Sequence, residues 1–260
     1  MFVIINDIIE EIHLTTACTV SMILSMILLP IYILLLLLQM KLIKSLNVLL
    51  LHGKGGNGQK MKSQLQPLLE EFDSHSYTFI DAPYTVSRDR IRLNTEKRLI
   101  DSNTISHDLA WWLLPDGVRS FEATSYEGVD KSIDFIENII KSKKIDVVVG
   151  HSQGGMIGAI VTARSILGIS DVKLKGSILS SPAWPLPFDN LFEDLKKSTK
   201  SNGMITIHTI GKADKVNPPA HSLRIAECFK PSTSVHLVEH DGGHILPLCR
   251  TSFSTYSKLL

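Results

Sequence analysis

Ser152 stands between two glycines, in Gly150-His151-Ser152-Gln153-Gly154, directly after an apolar run and directly before a helix-forming one. A serine placed on so sharp a strand-to-helix turn is held away from both elements, with its hydroxyl exposed. Glycine on either side lets strand and helix approach without a side chain between them. A serine hydroxyl is a weak nucleophile, so it needs a histidine to take its proton and a carboxylate to hold that imidazole in the right tautomer. Asp214 lies in the loop Gly211-Lys212-Ala213-Asp214 that leaves a later apolar run, and His244 ends the turn His240-Asp241-Gly242-Gly243-His244 after the next. The order nucleophile, acid, base, each at the carboxyl end of a strand, is one of the chain orders in which such a set of three occurs. His244 is preferred over His240 because it leads into the last helix. Asp241 is too close in sequence to turn independently toward it, and Asp146 sits at the amino end of its strand.

A second glycine cluster follows the first strand: His52-Gly53-Lys54-Gly55-Gly56-Asn57-Gly58. Gly53, Gly55 and Gly58 satisfy GxGxxG, and Asp81 lies about where the acid of a dinucleotide-binding unit would be. A P-loop is excluded, since Gln59-Lys60 follows Gly58. The alternative is an oxyanion loop, in which the backbone N–H of Lys54 and that of Gln153, just after the nucleophile, face a developing negative charge. A dinucleotide enzyme has no use for Ser152, Asp214 and His244 in order, so the oxyanion loop is the preferred reading.

These groups need a scaffold that brings distant strand ends together. Beyond residue 45, apolar runs at residues 47–51, 77–80, 145–149, 174–179, 204–210 and 234–238 alternate with helical patterns at 61–72, 126–141, 153–167, 219–229 and 246–259. That alternation predicts an α/β fold, a mostly parallel sheet flanked by helices. Residues 84–127 are irregular and carry Trp111 and Trp112, which with Trp184 are candidates for an acyl pocket, or else core aromatics under an insertion. The chain has 260 residues and a net charge of +1, with no basic stripe that would favour nucleic acid. Its three cysteines, Cys18, Cys228 and Cys249, make no disulfide framework, and no cluster has zinc spacing.

Residues 1–40 differ in character. The stretch 17–38 is uncharged and rich in Leu, Ile and Met, long enough as a helix to cross a bilayer despite Pro30. Asp7, Glu10 and Glu11 precede it and Lys41 and Lys44 follow, which places the remainder, 41–260, on the cytosolic side of a candidate anchor. A start at Met40 is the alternative, with a cytoplasmic protein under that reading. The expected organisation is therefore a hydrophobic N-terminal helix, 1–40, and a catalytic domain, 41–260.

The chain resembles the FSH-type serine hydrolases, fungal proteins and a human ovarian-tumour-suppressor-candidate relative, within the α/β-hydrolase superfamily. The resemblance rests on Val48-Leu-Leu-Leu-His-Gly with Asn57-Gly58, Phe79-Ile-Asp-Ala-Pro83, Trp111-Trp112 and Tyr126-Glu-Gly128. It continues through the Ser152 pentapeptide, Gly211-Lys-Ala-Asp214 and His240-Asp-Gly-Gly-His-Ile-Leu-Pro247. It implies a carboxylesterase that takes small-molecule or lipid-like acyl esters without a cofactor, with Ser152, Asp214 and His244 as its triad. It departs from the family at His151, usually Phe, and at Gly155, usually Ala. A non-catalytic binding protein of the same fold, or a dinucleotide-dependent oxidoreductase, are the rival functions.

Overall fold

The computed structural model describes residues 26–33, 45–86, 108–200 and 203–260. The chain separates into two units, Met1–Ser45 and Leu46–Leu260. In the first, residues 26–33 are helical (α1) and expose their side chains. Most of the hydrophobic stretch 17–38 lies outside the described residues, and among those described no helix is long and apolar enough to cross a membrane.

The second unit is built on six parallel strands: β1 (Asn47–Leu51), β2 (Ser76–Ile80), β5 (Val147–His151), β6 (Gly176–Ser180), β7 (Ile205–Gly211) and β8 (Ser234–His240). They lie in the order β2-β1-β5-β6-β7-β8 and pair in parallel throughout. A separate antiparallel pair joins β3 (Tyr84–Thr85) to β4 (Leu109–Ala110). The connecting helices are α2 (Gly58–Gln64), α3 (Gln66–Glu71), α4 (Val129–Ser142), α5 (Gln153–Leu167), α6 (Asp189–Lys197), α7 (Pro219–Phe229) and α8 (Arg250–Tyr256).

Strand side chains alternate between the two faces, and the alternation builds two cores. Leu49, Leu51, Val148 and Leu179 point to one face and pack with Ile136 of α4, Ile157 of α5, Phe192 of α6 and Phe229 of α7. Val48, Leu50, Val149 and Ile178 point to the other, against Met61 of α2, Leu68 of α3 and Tyr256 of α8. Both faces of the sheet are covered, which is why its strands are continuous apolar runs.

Several boundaries differ from the sequence pattern. The expected helix 61–72 is two helices that begin earlier. Asn57 caps α2 by accepting from Lys60 N–H at 2.8 Å, and the break at Leu65 precedes Pro67, which enters the first turn of α3. The run 145–149 pairs two residues further on, because Ile145 N–H still bonds to Ile140 C=O at the end of α4. The last helix is confined to Arg250–Tyr256, with an extended Cys249 as its N-cap; Tyr256 and Ser252 hydroxyls both donate to the Pro247 carbonyl. The sequence pattern does not mark helix α6, whose apolar face is short, Phe192 and Leu195.

Candidate active site

The carboxyl ends of the parallel strands carry the residues that sequence spacing singled out. Ser152 follows β5 with φ 57° and ψ −119°, a conformation that costs a non-glycine residue strain and turns its side chain out of the strand line. Its backbone is pinned by an N–H bond to Ser180 C=O at 2.8 Å. The flanking glycines are there for contact. A Cβ on Gly154 would lie 2.1 Å from Leu51 O, and one on Gly150 would lie 2.2 Å from Gly154 O.

Asp214 sits in the turn after β7 and is almost wholly buried. One carboxylate oxygen accepts the backbone N–H groups of Val216 at 2.8 Å and Asn217 at 2.9 Å. The other lies 2.7 Å from His244 Nδ1. Burial alone would raise the Asp214 pKa. The His244 hydrogen bond and the two backbone donors outweigh it, and the carboxyl is held below its ordinary value. An ionised Asp214 accepts from His244, which fixes the proton on Nδ1 and leaves Nε2 as the basic nitrogen. Asn217 anchors this turn to the end of β6, beside the elbow (the sharp turn that carries Ser152), donating from Nδ2 to Ser181 C=O at 2.8 Å. Of the rejected candidates, Asp241 is exposed and paired with Lys212, and Asp146 is paired with Lys175. His240 Nε2 is buried without a partner among the described residues.

The glycine loop after β1 forms the opposite arm. Gly56 N–H closes a turn onto Gly53 C=O at 3.0 Å, around Lys54 and a left-handed Gly55. Gly55 N–H bonds to Leu109 C=O at 2.8 Å, tying the loop to β4. His52 is buried and neutral. Burial lowers its pKa, its Nε2 accepts from Ala82 N–H at 3.0 Å, and Nδ1–H therefore donates to Gly53 C=O at 2.8 Å. The N-terminus of α2, where a pyrophosphate would dock in a dinucleotide enzyme, is taken internally: Gly58 N–H donates to Asp81 Oδ1 at 2.7 Å.

Trp111, Trp112 and Trp184 are all buried. Trp111 Nε1–H donates to His52 C=O at 2.8 Å, and Trp111 N–H donates to the Gln153 side-chain oxygen at 2.9 Å. Gln153 completes the clasp with its amide toward Trp112 C=O at 3.3 Å. Gln153 thus has two parts: a backbone N–H at the first position of α5, where no intrahelical acceptor exists, and a side chain that clamps the segment bracing the Lys54 loop. Trp112 stacks on Tyr126 at 4.4 Å and borders a second cavity of about 310 Å³ with Lys54 and Leu114. Trp184 lies under the Arg224 guanidinium and donates to Asp189, beside α6 and α7.

Ser152, His244, Lys54 and His151 open together on a cavity of about 610 Å³, whose walls include Met61 of α2, Leu65 between α2 and α3, and Ile245, Leu246 and Leu248 from the last loop. None of the tryptophans lines it. His52 and Asn217, which position the two arms, were not among the sequence candidates. The His-Gly pair was a signal for the first; nothing in the sequence marks the second.

The architecture is an α/β-hydrolase fold, a parallel sheet flanked by helices. It is similar to a Bacillus cereus carboxylesterase (20% identity, 83% of this chain and 89% of that one, TM-score 0.55). It is also similar to esterase PE8 (18%, 84% and 93%, TM-score 0.59) and to Arabidopsis thaliana SOBER1 (16%, 81% and 96%, TM-score 0.52). Residues 40–255 match the serine hydrolase (FSH1) family, and the chain belongs to it. No curated protein matches the chain.

Proposed function

We propose that this serine hydrolase is a carboxylesterase that cleaves acyl esters through an acyl-enzyme on Ser152. The observation that carries the reading is His244, held 2.7 Å from the buried Asp214 and lining the same cavity as the strained Ser152. His244 Nε2 takes the hydroxyl proton as Ser152 Oγ bonds to the ester carbonyl carbon. The backbone N–H groups of Lys54 and Gln153 receive the oxyanion; removing one such donor typically slows chemistry by about 10²–10³-fold. The tetrahedral species collapses as His244 returns the proton to the departing alcohol. Water, deprotonated by the same nitrogen, attacks the acyl-enzyme, and the carboxylic acid leaves with Ser152 restored. Asp214 stabilises the imidazolium in both halves without itself taking the proton.

The apolar walls supplied by Met61, Leu65, Leu246 and Leu248 support small esters with hydrocarbon arms as substrates. The test is turnover of p-nitrophenyl butyrate by purified protein and by Ser152→Ala. Wild-type turnover that is abolished in the variant supports the reading. Equal turnover in both removes Ser152 from the chemistry, and no turnover of any ester in a short-chain panel leaves a binding protein on a hydrolase scaffold.

A further inference from the structure

His151 takes no part in the proton transfers above, yet it lines the cavity beside Ser152. Its ring lies 4.8 Å from that of His244, tilted by 48°. One nitrogen is occupied: Nδ1 is 3.1 Å from the Ser180 hydroxyl, which in turn lies 3.4 Å from Ile245 C=O. The other, Nε2, has no hydrogen-bond partner among the described residues, and His151 is one of the residues that line the cavity. Burial first, and then the nearby His244 charge, push the His151 pKa down to about 3, so the ring is neutral wherever the triad can work. Asp214 is the opposing charge and is too weak to reverse this.

A neutral imidazole offers one donor and one acceptor. The single Ser180 proton goes either to Ile245 C=O, with His151 Nδ1–H then donating to Ser180, or to Nδ1 itself. The first arrangement leaves Nε2 an acceptor and the second leaves it a donor. A substrate carbonyl could satisfy only the second; a hydroxyl satisfies both. His151 lines the same cavity as Ser152 and its ring lies 4.8 Å from that of His244, which places a group bound at His151 near the scissile bond.

We propose that His151 is a specificity-determining residue that hydrogen-bonds a hydroxyl on the acyl or alcohol arm, within two or three bonds of the ester. The assignment rests on the esterase reading for its substrate, and its test does not depend on turnover. Equilibrium binding to Ser152→Ala is measured for ethyl butyrate, ethyl 3-hydroxybutyrate and 2-hydroxyethyl butyrate. One of the two hydroxy-esters is expected to bind about five- to tenfold more tightly than ethyl butyrate, the gain of one neutral hydrogen bond. That ratio is expected to fall to about one when His151→Phe is added, and to recover in part with His151→Gln. Equal binding of all three esters, or a preference that survives His151→Phe, overturns the assignment. If His151→Phe does not fold, His151→Ala reads the same ratio. Ester turnover by wild-type protein, measured in parallel, reports on the esterase reading separately.

Discussion

The two arms that meet at Ser152 are held by different means. On the acid–base arm the carboxylate is fixed locally: Asp214 accepts from N–H groups two and three residues further along its own turn, and only its bond to His244 spans a longer separation. The oxyanion arm is held from far away. Trp111, more than forty residues before the elbow, clasps His52 with its indole and Gln153 with its backbone. A local turn is encoded by the residues inside it. A loop braced from outside is encoded by residues whose types give no hint of the partner. The first arm should therefore fail chemically when altered, and the second geometrically.

The largest expected effect is on the acid–base arm. Asn in place of Asp214 can still accept from Val216 and Asn217, but it turns an amide N–H toward His244 Nδ1 and forces the proton onto Nε2. The base is then absent, and kcat is expected to fall by about 10³–10⁴-fold with KM little changed. A fall of less than tenfold would separate Asp214 from the chemistry. On the oxyanion arm, Trp111→Phe keeps an aromatic ring, though a smaller one, and removes the donor to His52 C=O. Loss of Lys54 alignment is expected to lower kcat about ten- to a hundredfold. Stability should drop by about 1–3 kcal/mol, from a buried carbonyl left unpaired. If stability falls and kcat does not, Trp111 is packing alone.

What sequence could and could not convey follows the same division. The parallel sheet was readable because strands buried on both faces are unbroken apolar runs, as at Val147, Val148 and Val149. The elbow was readable because Gly150 and Gly154 answer to backbone contacts that tolerate no Cβ. The order of Asp214 and His244 followed from strand ends. By contrast, Trp111, Trp112 and Trp184 were candidates for pocket lining because aromatic type alone cannot distinguish a wall from a brace. The cavity beside Ser152 is walled instead by α2 and the loop after β8. Asn217 and His52 act through one or two hydrogen bonds to distant backbone, a pairing that no local spacing announces.

A smaller effect sharpens the contrast through pH. Because the Asp214 carboxyl is held below its ordinary value of 3.8, its contribution to stability is fully present above that pH. It is lost as pH falls through the lower, folded-state value, where the carboxylate takes a proton. The stability difference between wild type and Asp214→Asn should hold from neutral pH down to the ordinary carboxylate range and shrink below it. Trp111→Phe, which removes no titrating group, should show a difference that does not shrink in that range. Denaturant unfolding at several pH values checks both. Parallel behaviour of the two variants would erase the distinction between the arms.

The esterase account stands most directly on the reactivity of one hydroxyl. Treating the protein with a fluorophosphonate probe and mapping the modified peptide by mass spectrometry should place the adduct on Ser152 in the wild type. The adduct should nearly vanish in His244→Ala, where no base activates the oxygen. An unlabelled Ser152 in folded wild-type protein that still turns over esters, or labelling undiminished in His244→Ala, would contradict it.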